Sequence, residues 1–494
     1  MSDNVVKTIK GISSQTVITL ILGILELVVF SIMSRLITKT EFGYYATITS
    51  IIVIFRSLSE AGIGASVIQK NKADTNFVNT AYSLSLIVGV VITIIVLAFT
   101  GFLSELIADK TIQLPLAIIS ITIIPYSLNS IYRGLFLKGL HFLKVGIFQI
   151  IAFVISNSIA IVMAWKGCGL YSVVVGNVLN IILQNIFLRT FLPYKPEFVI
   201  KGSHVKEIIN FGGWLTLSKM TGALYAQIDK ILMAKWLSIT TLGNFYRTRG
   251  VIDSVDSQVG GIFDVVLFPI LSGIQDKKES VQNAYIKAMY LGCVFFSLLF
   301  LTFFFNAKLI ITVMLGEKWL DQVLLFRVLS LSMLLYFLTR LNDCFIRSLA
   351  YVRFGFFVKL FSCFMLVTTM YLSIRQGYGT IGVAVSVVFT NLLSAIIKTA
   401  FICLKTDVRF LVLFKNIIRG LLYSIPLLCF GITFFLFFEQ NLIDSIIFCA
   451  VFVLASAAIF LFLPDFVGSI YKKQIYPYIS RILNVDIISI NKQK

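Results

Sequence analysis

The chain alternates long apolar stretches with short polar joints, and each stretch is apolar all round rather than on one face. Runs of about twenty such residues, the length that crosses a bilayer core as a helix, lie near 13–35, 43–64, 80–104, 114–133, 146–165, 169–190, 210–235 and 242–271. Six more lie near 286–305, 321–346, 356–374, 379–403, 417–437 and 442–463. The pattern predicts an all-α polytopic membrane protein with about fourteen transmembrane helices. Run 242–271 is charged and run 114–133 is interrupted by proline, so both are weak by hydropathy alone. A membrane barrel would alternate polar and apolar positions over about ten residues, and these runs do not alternate.

A second regularity lies in the joints. "SRLITKTEFGYYA" from Ser34 is echoed by "AKWLSITTLGNFY" from Ala234. An offset of 200 pairs Met33 with Met233, Arg35 with Lys235, Thr40 with Thr240, Gly43 with Gly243 and Tyr45 with Phe245. Each copy sits between two apolar runs with a glycine near the turn. A further echo sets "KGLHFLKVGIF" from Lys138 against "RFGFFVKLFSC" from Arg353, pairing Lys138 with Arg353 and Lys144 with Lys359 at an offset of 215. An insertion such as "GEKWLDQ" after Leu315 would absorb the difference. The first crossing then matches the seventh, which leaves the halves parallel about an axis along the membrane normal, with a transport pathway between them. The expected organisation is a six-helix lobe over 1–205, a second over 206–405, and two further helices with a basic cytoplasmic tail over 406–494. The joint is "LPYKPEFVIKGSHVKEI" from Leu192.

Composition removes the soluble alternatives. With 58% hydrophobic residues, 13% charged and a mean hydropathy of +0.94, most of the chain cannot face water. The net charge of +19 invites a nucleic-acid partner, so its placement has to decide. Bases crowd alternate joints, as at Lys70 and Lys72, at Lys138 and Lys144, and at Lys195, Lys201 and Lys206, whereas the opposite joints hold Lys110, Lys166 or Arg375. That is the positive-inside pattern: it predicts no nucleic acid, anionic lipid at the basic face, and both termini in the cytoplasm. The first run follows Lys7 and Lys10, exceeds a signal-peptide core and meets no small-residue cleavage site, so it is expected to stay as an anchor. Seven scattered cysteines and two histidines form no metal-ligand spacing. Phosphate-loop, zinc-protease and nucleophile-elbow motifs are absent, so neither enzymatic chemistry nor a cofactor is expected, beyond H+ or Na+ as a coupling ion.

Chemistry then rests on charges inside the runs. Such a residue costs about 2.5–3.5 kcal/mol near the bilayer centre and therefore turns to a cavity or a partner. In "RTRGVIDSVDSQVGGIFDVV" from Arg247, Arg249, Asp253, Asp256 and Asp264 fall within a sector of roughly 80° at helical spacing. Arg340, Asp343 and Arg347 share a face of the tenth crossing, Arg56 and Glu60 one of the second, and Lys219, Asp229 and Glu26 lie in the seventh and first. Arg347, Lys230 and Arg247 lie near helix ends, where snorkelling would also account for them. Arg249 with Asp253 would serve equally as a neutralised internal pair. Asp253, Asp256 and Asp264, with Arg56, point to a water-filled cavity suited to a large, polar, anionic cargo.

These residues carry a resemblance. "LITKTEFGYYATITSIIVIFRSLSEAGIGASVIQK" from Leu36, "YAQIDKILMAKWLSITTLGNFYRTRGVIDSVDSQVGGIFDVVLFPILSGIQ" from Tyr225 and "MLGEKWLDQVLLFRVLSLSMLL" from Met314 are similar to bacterial polysaccharide exporters of the lipid-linked oligosaccharide flippase group, in the colanic-acid and teichuronic-acid branch. The resemblance implies the multidrug/oligosaccharidyl-lipid/polysaccharide fold, with two six-helix lobes in a V plus two C-terminal helices. It implies work at the bacterial cytoplasmic membrane, flipping undecaprenyl-diphosphate-linked repeat units, with polysaccharide polymerase and glycosyltransferases as partners. It also implies a cationic cavity for the diphosphate, to which Arg56, Lys219, Arg249, Arg340 and Arg347 could contribute. Glu26, Glu60, Asp229, Asp253, Asp256, Asp264 and Asp343 are then left for a coupling ion or for internal pairing. A drug or small-molecule antiporter on the same fold, and a membrane glycosyltransferase or polymerase, remain as alternatives.

Overall fold

The computed structural model describes residues 3–461 except 61, 70–73, 108, 140, 193, 263–266, 268–270, 272, 275–276 and 438–441, and every regular element among them is a helix. The first lobe comprises α1 (Asp3–Leu36), α2 (Lys39–Glu60), a short α3 (Ile63–Gln69), α4 (Thr75–Ile107), α5 (Gln113–Ser120), α6 (Ile123–Lys138), α7 (Phe142–Trp165) and α8 (Leu170–Thr190). The second comprises α9 (Gly202–Trp236), α10 (Ile239–Ile262), α11 (Lys278–Phe305), α12 (Ala307–Met314), α13 (Val323–Ser330), α14 (Ser332–Ser348), α15 (Val352–Arg375) and α16 (Gly379–Thr406). α17 (Phe410–Leu422), α18 (Ile425–Phe437) and α19 (Leu442–Leu461) close the described chain. They dock on α11, where Leu427, Phe448 and Phe452 pack against Val294 and Leu298.

Eleven segments among the described residues are long and apolar enough to cross a membrane, against the fourteen expected. For α9 and α10 the cause is electrostatic. α9 and α10, at 35 and 24 residues, are long enough, but their acids and bases lower their hydropathy. α19 is apolar over its 20 residues. The proline-interrupted run 114–133 becomes α5 and α6 end to end within one crossing, Lys110–Lys138. Pro125 occupies the first turn of α6, where its missing N–H costs nothing.

Helix bounds set the register of the duplication. α1 ends and α2 begins at Leu36 and Lys39; α9 ends and α10 begins at Trp236 and Ile239, an offset of 200. α7 and α15 are both 24 residues long, and their offset is 210, not the 215 of the Lys138–Arg353 echo. Lys138 ends α6 whereas Arg353 lies inside α15, so the two are not equivalent. Bases gather at that end of many helices, so two charge matches can be found in more than one register. The firmer marker is backbone shape: Gly167 and Gly377 have φ of 82° and 84°, and Gly169 and Gly379 have φ of 49° and 52°. Left-handed values of this kind are what glycine permits and other residues resist.

The residues of the first echo meet across the lobe boundary. Thr40 and Thr240 hydroxyls lie 2.8 Å apart. α2 and α10 approach so closely here that a Cβ on Gly43 would strike the Ile239 carbonyl, and one on Gly243 the Lys39 carbonyl. The repeat axis therefore passes between these glycines. Met33, Phe42, Met233 and Phe245, all buried, continue one hydrophobic core from lobe to lobe. The insertion after α12 adds a one-sided clasp: Trp319 is wholly buried and donates to the Ser34 carbonyl at 3.2 Å, Lys318 donates to the Ile37 carbonyl at 2.7 Å, and Lys39 pairs with Asp321 at 2.8 Å. This hairpin end of the molecule is sealed.

Candidate functional site

Two cavities flank α10, one in each lobe. The larger, about 850 Å³, lies in the second lobe among α9, α10, α14, α15 and α16. Arg249 stands ten residues into α10, about 15 Å along its axis from the hairpin end at helical rise. From there the cavity runs towards Arg347 and Lys359, beside the α14–α15 joint at the basic end.

Most of the predicted charges converge on it. Arg249 bridges Asp229, which is 1% exposed, and Asp253, at 3.3 Å. Arg340 holds Asp256 at 2.7 Å, and Lys398 holds Asp343 at 2.8 Å. Asp229, Asp253, Asp256 and Asp343 are therefore each held by a base from the same or a neighbouring helix, Arg249 serving two of them. Bases remain in excess. Among the described residues Lys230, Arg249, Arg340, Arg347 and Lys359 line the cavity against Asp253, Asp256 and Asp343, two more positive charges than negative. Behind the wall, buried Asp229 and Lys398 cancel. A low-dielectric chamber with this surplus attracts anions.

Arg56 goes elsewhere. It is buried inside the first lobe, donating to Thr122 at 2.5 Å and Asn177 at 2.9 Å and lying over the Tyr126 ring. Its repeat partner by offset is Asp256, and the two occupy equivalent places in different lobes. A rotation axis brings equivalent residues into contact only near the axis, as with Thr40 and Thr240. Glu26 lines the first-lobe cavity, about 390 Å³ in volume. Glu60 meets Lys219 at 2.6 Å, a bond between α2 and α9 across the lobes. Arg247 crosses the same boundary at a different level, donating to the Ser34 hydroxyl at 2.7 Å and the Phe30 carbonyl and lying between the Phe30 and Phe42 rings. Asp264 lies outside the described residues, as does the basic tail from 462.

Sequence reasoning missed Lys398, although it is the lone charge in the run 379–403 and the cost of burial marks such a residue. It also missed Tyr225, Tyr336 and Asn391, which line the second-lobe cavity and carry no distinguishing signal in an apolar run. Among the described residues no group of acids, histidines or cysteines has the arrangement of a metal site.

Two pseudo-symmetric helical lobes, sealed at one end and enclosing charged chambers, define a multi-pass membrane protein of the lipid-flippase fold. The structure superposes on the lipid II flippase MurJ in its inward closed conformation with a TM-score of 0.73 at 13% identity, over 93% of this chain and 99% of that one. The chain belongs to the polysaccharide biosynthesis protein family, whose profile matches residues 32–324. It is 22% identical over 395 residues to the lipopolysaccharide biosynthesis protein WzxC of Escherichia coli (strain K12), covering 79% of this chain and 80% of that one. It is also 22% identical over 325 residues to the teichuronic acid biosynthesis protein TuaB of Bacillus subtilis (strain 168), covering 65% and 67%.

Proposed function

We propose that the protein flips lipid-diphosphate-linked oligosaccharide repeat units across the bacterial cytoplasmic membrane for surface polysaccharide synthesis. The observation that carries this reading is the surplus of two positive charges in the second-lobe cavity. A diphosphate diester bears one negative charge on each phosphate, and charge-assisted hydrogen bonds from arginine suit it. The family and the shared fold support the same reading. In it the basic end faces the cytoplasm, the sealed hairpin end faces outwards, and rocking of the lobes parts the Gly43–Gly243 contact to open the chamber outwards and restores it to open the chamber to the cytoplasm. A polymerase and glycosyltransferases would act before and after the flip. An antiporter for cationic drugs on this fold would want an acidic surplus, and the described residues of this chamber carry a basic one.

Arg347 and Lys359 line the chamber near its basic end, and their loss should disturb folding least. Arg347→Gln and Lys359→Gln are each expected to weaken binding of undecaprenyl diphosphate by at least about tenfold, the worth of one charge-assisted hydrogen bond. In a strain lacking the gene, repeat units should accumulate on the cytoplasmic leaflet and surface polysaccharide should vanish. Normal surface polysaccharide in that strain, with no other exporter present, would remove the reading.

A further inference from the structure

We propose that the first-lobe cavity is the subsite for the saccharide of the cargo, while the second-lobe cavity holds the diphosphate. This rests on the flippase reading and adds where the sugar sits. The two chambers have different chemistry. Glu26 and Arg247 balance in charge in the first-lobe chamber, and its polar wall is built from the amides of Asn157, Asn177 and Asn180 and the phenols of Tyr45 and Tyr246. Phe30 and Phe153 supply ring faces. Amides and phenols both donate and accept, as paired sugar hydroxyls require, and ring faces suit the C–H faces of pyranoses. Its volume of about 390 Å³ falls within the ~300–1,000 Å³ typical of small-molecule sites.

The polar groups are prepared for a guest. Asn157 spends its Nδ2 on the Phe153 carbonyl at 2.9 Å, and Asn180 accepts from Gln184 Nε2 at 2.9 Å. Among the described residues neither side chain makes another hydrogen bond, so the Oδ1 of Asn157 and the Nδ2 of Asn180 remain available. Asn177 is fixed from behind: Arg56 donates to its Oδ1, and its Nδ2 reaches the Tyr45 hydroxyl at 3.4 Å. Arg56 thus acts as a positioning residue for an amide of this wall, which accounts for a buried guanidinium away from the cationic chamber.

α10 joins the two chambers. Tyr246, Arg247 and Ser254 face the first, and Arg249, Asp253 and Asp256 face the second. At helical spacing the two sets lie on adjacent faces, roughly 100° apart. In a lipid-linked saccharide the charged diphosphate and the hydroxyl-rich sugars are neighbours in one molecule. A headgroup lying over this edge of α10 places each part in the chamber whose chemistry matches it.

The test uses the purified full-length protein and two probes, undecaprenyl diphosphate without sugar and the oligosaccharide released by mild acid from the host's own lipid-linked pool. The wild type is expected to bind both. Asn157→Leu with Asn180→Leu should weaken the released oligosaccharide at least tenfold and leave undecaprenyl diphosphate unchanged; Arg347→Gln should do the reverse. Oligosaccharide binding unaltered by the asparagine changes overturns the subsite. Should that pair fail to fold, Phe153→Leu takes its place, and unaltered oligosaccharide binding there overturns it equally. A wild type that binds undecaprenyl diphosphate but not the oligosaccharide overturns the subsite and leaves the flippase reading standing. Binding of neither probe removes both.

Discussion

Arg249→Leu is expected to abolish accumulation of folded protein, the largest effect of any single charge removal here. Asp229 is 1% exposed, and Arg249, from the next helix, is its partner. Removing the guanidinium strands a carboxylate inside the bundle, and breaking a buried pair in this way costs about 3–5 kcal/mol. The converse change isolates the cause. Asp229→Leu with Arg249→Leu replaces both ions by apolar groups, which is often near neutral or stabilising. Asp253, whose side chain is 42% exposed, can be solvated from the cavity without Arg249. The double variant should therefore regain most of the yield and melting temperature while still failing to export, because the chamber's net charge is kept but Arg249, one of the bases that line it, is gone. Thermal melting of the purified proteins decides the point. A single variant as stable as the wild type would mean that the pair does not hold α9 to α10.

The second large effect belongs to the glycines on the repeat axis. Cysteines in place of Thr40 and Thr240, whose hydroxyls are 2.8 Å apart, should form a disulfide on oxidation and stop export by locking the hairpin end. Adding Gly243→Leu should prevent that disulfide and leave the two thiols open to a maleimide label, because the new side chain must displace the Lys39 backbone facing it. Backbone cannot rotate aside as a flexible side chain does, so the lobes have to part. An undiminished cross-link in the Gly243→Leu background would refute the claim that these glycines set the lobe spacing.

These expectations differ in how much of their ground was legible beforehand. The echo of Thr40 in Thr240 and Gly43 in Gly243 was visible in the letters, and the structure turned sequence equivalence into physical contact. The Lys138–Arg353 echo was equally visible and misaligned, because membrane-surface bases recur and pin no register; the paired glycine turns at Gly167 and Gly377 carry the true offset. Arg249, Asp253, Asp256, Arg340 and Asp343 could be grouped by helical spacing, and they do share a chamber. Spacing within a helix is silent about the opposite wall, however, so the bonds from Arg340 to Asp256 and from Lys398 to Asp343 could not be written down.

The sequence by itself determined that this protein lies in a membrane, that it is helical, and that its first hairpin is repeated, since hydropathy, all-round apolarity and a fixed offset are properties of neighbours along one chain. Only the tertiary structure decided which charges meet, and that Arg56 bonds Thr122 and Asn177 inside the first lobe. Those outcomes depend on distances between helices far apart in sequence, which set whether a carboxylate meets a base.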